Sequence, residues 1–140
     1  MKQPEDAGSV KDLVKYRIDS AKNDIRSAKA LRDIDDYKGA NNRAYYAVFH
    51  AITAVHGLNK KAYKRHKDAV ANFNKEYVKT DIFPRTIGRR IAELEEIRHA
   101  SDYDDFYIAS KEEVNEAIDT ATEFVSMVED YCNKEMEKLE

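Results

Sequence analysis

Tryptophan is absent from this 140-residue chain; cysteine occurs once, proline twice and glycine four times. The lone Cys132 excludes an intramolecular disulfide, and no Cys or His cluster shows zinc spacing. So few glycines and prolines leave little material for the many turns of an all-β fold. No run approaches the ~20 consecutive apolar residues of a membrane-spanning helix. Residues 1–8 lack the apolar stretch of a secretory signal and read as a disordered leader. There is no phosphate-binding glycine loop, dinucleotide fingerprint or nucleophile motif. The three aspartates at Asp102, Asp104 and Asp105 lack the glycine and spacing of a calcium loop. Neither a metal nor a cofactor is expected, no membrane association is expected, and the default compartment is the cytoplasm.

What remains is a chain 42% hydrophobic and 36% charged, long enough for one core and too short for two. Apolar residues recur every three or four positions, which predicts an all-α domain over residues 9–140. Ser9 is expected to cap a first helix with the stripe Val10, Leu13, Val14, Ile18, Ala21, Ile25, Ala28 and Leu31. After a polar turn, Asp35 or Asp36 can cap a second helix running to His56, with Gly57 as its stop. A short third helix is expected over residues 67–77. Pro84 suits the first turn of a fourth, whose apolar face is Ile87, Ile91, Leu94 and Ile97. Residues 101–109 read as irregular. Ser110 with Glu113 forms a capping box for the last helix.

Net charge is −3, but it is unevenly spread. Residues 111–140 hold three lysines and ten acids, so residues 1–110 carry the basic excess. That excess gathers at Lys60, Lys61, Lys64, Arg65 and Lys67, and again at Arg85, Arg89 and Arg90. Each run alone is an ordinary solvated surface; beside a binding site it would favour an anionic ligand such as RNA.

Two strings carry more polar chemistry than a helical core requires. In residues 41–50, Asn42, Tyr46 and Phe49 share one helical face, and Arg43, Tyr46 and His50 an overlapping one. In residues 98–104, Arg98 precedes Asp102 and Tyr103. Arginine suits planar, forked contact with phosphate, and tyrosine can stack on a base. The plainer alternatives are a helix edge covered by tyrosine rings, an Arg98–Asp102 ion pair that fixes a loop, and His66 as a surface histidine in a basic turn. His99 is expected to point away from Arg98.

Residues 42–50 resemble the second-helix signature of HEPN domains (higher eukaryotes and prokaryotes nucleotide-binding). Further pieces follow in the expected order: Asp36, Tyr37 and Ala40 before it, His66, Phe73, residues 77–80, Phe83 and Pro84, Arg98 with Asp102 and Tyr103, then Ser110, Glu112 and Glu113. The resemblance spans residues 10–132. It implies an up-and-down bundle of four or five helices that homodimerises. Active relatives are metal-independent endoribonucleases of toxin–antitoxin and similar systems, and many small ones accompany a minimal nucleotidyltransferase (MNT) that neutralises them. Their nuclease motif is an arginine followed four to six residues later by histidine. Here Arg98 fits, but Tyr103 stands in the histidine's place and no histidine follows. The spacing of Arg43 and His50 matches on a different helix. The resemblance therefore implies a component of an MNT-associated module that binds RNA or nucleotide through Asn42, Arg43, Tyr46, His66, Arg98, Asp102 and Tyr103, with its nuclease motif degraded. Arg98 and Tyr103 are the residues a surviving catalytic role would involve. The competing expectations are an active ribonuclease with His50 or His66 as base, and a module that only holds a nucleotidyltransferase.

Overall fold

The computed structural model describes residues 4–139, with side chains from Ser9 onward. Five α-helices follow one another: α1 (Pro4–Asp33), α2 (Tyr37–Leu58), α3 (His66–Phe73), α4 (Arg85–Tyr103) and α5 (Lys111–Glu137). A single wide turn, Asn74–Val78, extends α3. The all-α class and the five-helix bundle agree with the sequence expectation.

The bundle is organised around α2, which packs against all four other helices. Its buried face is built of small residues: Ala40, Ala44, Ala47, Ala51 and Ala54 are fully covered. Without side-chain bulk, neighbouring backbones approach closely and are held by dispersion over many short contacts. α1 and α2 are joined by a three-residue turn in which Asp35 adopts φ 63°. Asp36 then caps α2 by accepting a hydrogen bond from the Gly39 amide at 3.0 Å. At the other end, Phe73, Tyr77, Phe83 and Phe124 form a ring cluster with centroids 5.3–6.4 Å apart. Ser110 caps α5 by accepting from the Glu113 amide at 3.1 Å. Tyr107 donates its hydroxyl to Glu113, pinning the α4–α5 connection.

Several local boundaries differ from the sequence reading. α1 begins at Pro4, so Ser9 lies inside a helix and does not cap it; residues 4–8 of the expected leader are helical, and residues 1–3 fall outside the described residues. α2 runs through Gly57 to Leu58, and Lys60 takes the left-handed conformation in its place. Gly57 serves packing: a Cβ there would come within 3.2 Å of the Arg17 guanidinium, which donates to the Thr53 carbonyl of α2 at 2.7 Å. α4 continues through Ser101 and Asp102 to Tyr103, three residues into the segment read as irregular, because Ser101 is buried and the Asp104 amide still bonds the Ala100 carbonyl.

His56 is buried at 1% exposure, and its Nε2–H donates to the Ala69 carbonyl at 2.9 Å, tying α2 to α3. Burial lowers its pKa below the ordinary 6.5, so the folded protein holds it neutral. The unfolded chain takes up a proton near pH 6.5 and the folded one does so only at lower pH. This contribution to stability is therefore present above pH 6.5 and lost as pH falls through that window. In chemical denaturation, stability is expected to drop between about pH 7 and 5, and His56→Gln should make the slope shallower. Phe73→Ala, which empties the centre of the ring cluster, should cost about 3–5 kcal/mol at neutral pH.

Candidate functional site

With four helices around it, α2 keeps one stripe partly open. Asn42, Arg43, Tyr46, Phe49, His50 and Thr53 are all half-buried, while their neighbours on the helix are covered. The spacing of three, four and seven residues makes this a continuous seam. It contains the polar half of the string singled out in the sequence.

At one edge the seam meets Asp24 of α1, a carboxylate only 6% exposed. Its Oδ2 lies 2.6 Å from His50 Nδ1, and its Oδ1 accepts from Arg43 Nη1 at 3.2 Å. Arg43 Nη2 donates to Asn42 Oδ1 at 3.2 Å, and the guanidinium lies 4.9 Å from the Tyr46 ring centre. A carboxylate withdrawn from water needs such partners. The pairing also fixes the imidazole: with Nδ1–H donated to Asp24, Nε2 is left to exchange protons. Asp24 was not singled out in the sequence. The signal was present, since Asp24 lies three residues after Ala21 and four before Ala28, placing a charge on the buried stripe of α1.

At the other edge the seam meets α3 and α4. His66, the first residue of α3, is exposed, but one face of its ring lies on Phe49 with centroids 3.9 Å apart. Tyr46 meets it edge-on at 5.8 Å. The His66 pKa is lowered, first by desolvation against these rings and then by the positive charges of Arg98 and His50. The Arg98 guanidinium lies over the Tyr45 ring, 4.5 Å from its centre, and its Nη1 donates to Asp102 Oδ2 at 3.2 Å. Tyr45, fully buried, is thus the platform for Arg98 and is a site residue that sequence reasoning missed. Arg98 Nε and both polar atoms of the Asn41 amide are buried with no hydrogen-bond partner among the described residues. Asn41 sits one turn before Tyr45 on the same face of α2. Groups of this kind carry a cost until some atom reaches them.

Asn42, Arg43, Tyr46, His66, Arg98 and Asp102 therefore form one connected patch. Tyr103 does not join it. Because α4 persists through position 103, five residues carry Tyr103 well around the helix from Arg98. It is 72% exposed, and its ring lies 4.8 Å from His99. Among the described residues no three His, Cys, Asp or Glu side chains converge as a metal cage, and no helix is long and apolar enough to cross a membrane.

A bundle of five helices, with no strand among the described residues, is the fold expected of a HEPN domain. The chain belongs to that family, whose model matches residues 14–131. It is 27% identical over 117 residues to the UPF0332 protein of Thermotoga maritima, covering 84% of this chain and 89% of that relative. Two Methanocaldococcus jannaschii proteins also match. The one named "Putative toxin MJ0605" is 27% identical over 94 residues, covering 67% of this chain and 70% of its own length. The one named "Putative toxin MJ0142" is 25% identical over 114 residues, covering 81% and 78%. The crystal structure of TT1696 from Thermus thermophilus shares the fold, with TM-score 0.69 over 84% of this chain and 96% of that one, at 20% identity.

The proximity of Arg98 to His66 has a direct readout. Arg98→Gln removes a positive charge that holds the His66 pKa down, so the imidazole should titrate at higher pH in the variant, as followed by NMR of the ring protons. A His66 titration unchanged in Arg98→Gln would show that the two side chains do not face each other in solution.

Proposed function

We propose that this protein is a toxin-like HEPN protein that binds RNA or a nucleotide along the open seam of α2. One observation carries the reading: Arg43, His50, His66 and Arg98, from three helices, converge on a single half-open strip floored by Tyr45, Tyr46 and Phe49. A core does not need four cationic or protonatable groups on one stripe, whereas a phosphate backbone with bases beside it does. Arg98 is held for the task, placed over Tyr45 and braced by Asp102 through Nη1, which leaves Nη2 as the donor for phosphate. Arg43 is oriented by Asn42 and Asp24 in the same way. The exposed Lys64 and Lys67 flanking His66 extend positive charge along the α3 edge.

The likeness to two relatives named as toxins supports a role as the toxic member of a two-protein module. In this reading the protein acts as a homodimer in the cytoplasm, and its partner is a minimal nucleotidyltransferase that keeps it inactive. With tyrosine at position 103, Arg98 lacks the histidine partner found in the nuclease motif of active members.

Fluorescence anisotropy with a labelled single-stranded RNA tests the binding. Arg98→Gln and Arg43→Gln should each weaken affinity roughly tenfold, the loss of one charge-assisted hydrogen bond. Each should also reduce the dependence of log K on log salt by about 0.7, as expected for one phosphate contact on a single strand. Affinity unchanged in both variants would sink the reading. Co-purification with the nucleotidyltransferase encoded beside it, if one is, tests the partner.

A further inference from the structure

A second recess lies beyond the end of the α2 seam, between the start of α1, the end of α2 and the loop that leads to α3. Its outer chamber holds about 260 Å³ and is lined by Val10, Leu13, Arg17, Gly57, Lys60 and Lys61, among others. An inner chamber of about 70 Å³ shares Arg17 and Lys61 and reaches Thr53, His56 and Tyr63. Only Thr53 belongs to the seam as well. The walls differ in character. Val10 and Leu13 of α1 form an apolar side, and Leu13, counted with the α1 stripe in the sequence, is left 40% exposed. Arg17, Lys60 and Lys61 bring three positive charges. Lys61 is paired with Glu76 at 2.9 Å. Arg17 spends its Nη1 on the Thr53 carbonyl, and no carboxylate among the described residues pairs with it or with Lys60. Burial lowers the Arg17 pKa, because water is withdrawn from the charge and no anion takes its place. At the inner end, the Nε2–H of His56 is committed to the Ala69 carbonyl, so Nδ1 of the neutral ring is an acceptor. That atom is buried and has no partner among the described residues. A buried acceptor left in this way favours a ligand that brings a donor to it. Gly57 keeps the floor clear: a Cβ there would lie 3.2 Å from Arg17 Nη1 and 3.7 Å from the Leu13 side chain.

We propose that this recess is a second ligand site, for a small 2-hydroxy carboxylate with an apolar side chain. The carboxylate sits on Arg17 and Lys60, the side chain lies against Val10 and Leu13, and the hydroxyl donates to His56 Nδ1. Each part of the ligand follows from one wall. Cations without counter-charge call for an anion, and a carboxylate gives them charge-assisted hydrogen bonds. Arg17 lines both chambers, so a carboxylate held there puts a hydroxyl on the adjacent carbon at the mouth of the inner one. An ammonium in place of that hydroxyl would add a positive charge beside three others, which disfavours an amino acid. The outer chamber is smaller than the clefts of roughly 300 Å³ and more that take drug-sized ligands, which limits the occupant to a small molecule. The site does not depend on the reading of the α2 seam as an RNA-binding surface.

The test is an NMR titration of the full-length protein with 2-hydroxy-4-methylpentanoate, beside three analogues. These are 4-methylpentanoate, which lacks the hydroxyl, 2-hydroxy-4-methylpentanamide, which lacks the charge, and lactate, which lacks the apolar body. The hydroxy acid should bind with a Kd of about 1 mM or tighter. Its shifts should map to the amides of Gly57, Ala62 and Tyr63 rather than to the His66 ring. The His56 Nδ1 nitrogen signal should move with the hydroxy acid and stay in place with 4-methylpentanoate, which should bind about fivefold more weakly. The amide should bind at least about tenfold more weakly than the acid, and lactate should be weaker too. Lys60→Glu, at an exposed position, should weaken the hydroxy acid by about tenfold or more with its melting temperature little changed. The absence of saturable shifts at about ten times the expected Kd overturns the proposal. So does equal affinity for the hydroxy acid and either the deoxy acid or the amide, and so do shifts confined to the seam. Affinity for the hydroxy acid that is unchanged in Lys60→Glu overturns it as well.

Discussion

One helix has to touch four others, and the rest of the structure follows from that. α2 meets the demand with alanines, because only a small side chain lets backbones close in from several directions. A helix so crowded has few exits for polar groups. His56 uses the Ala69 carbonyl, the Arg17 guanidinium reaches the Thr53 carbonyl past a glycine, and Asn42, Arg43, Tyr46, His50 and Thr53 lie on the one stripe that no neighbour fully covers. The seam is thus a consequence of packing.

Electrostatics along the seam are arranged in two halves. At the α1 edge a buried carboxylate is surrounded by cationic or protonatable partners, so Asp24, Arg43 and His50 stabilise one another. At the α4 edge Arg98 rests on an aromatic face and pairs through Nη1 with a carboxylate that is itself partly exposed, while its Nε stays buried without a partner among the described residues. His66 sits between the two, sensing the charges of both Arg98 and His50. The aromatic rings separating these groups exclude water without supplying charge, which strengthens every interaction across them.

Much of this was readable in the residues. The helical class, the positions of α2 and α5, the Asp36 and Ser110 caps and the chemistry-bearing strings around Arg43 and Arg98 all follow from local periodicity and capping, which act over a few residues. The errors share one cause. Gly57 read as a stop because glycine usually ends helices, but contact with Arg17, on a different helix, set its role. Residues 101–103 read as irregular because they are polar, yet burial of Ser101 carries α4 one turn further. That extra turn moves Tyr103 away from Arg98 and so decides which of the two belongs to the patch.

The sequence by itself determined the fold class, the single core and the kind of side chain available for a site, since those depend on composition and on spacing along one helix. Tertiary structure alone decided the membership of the site. Asp24 comes from α1, His66 from α3 and Arg98 from α4, and no spacing rule links positions so far apart. They meet because α2 draws all three helices onto itself, and a buried carboxylate such as Asp24 shows its purpose only once the groups that neutralise it are in place.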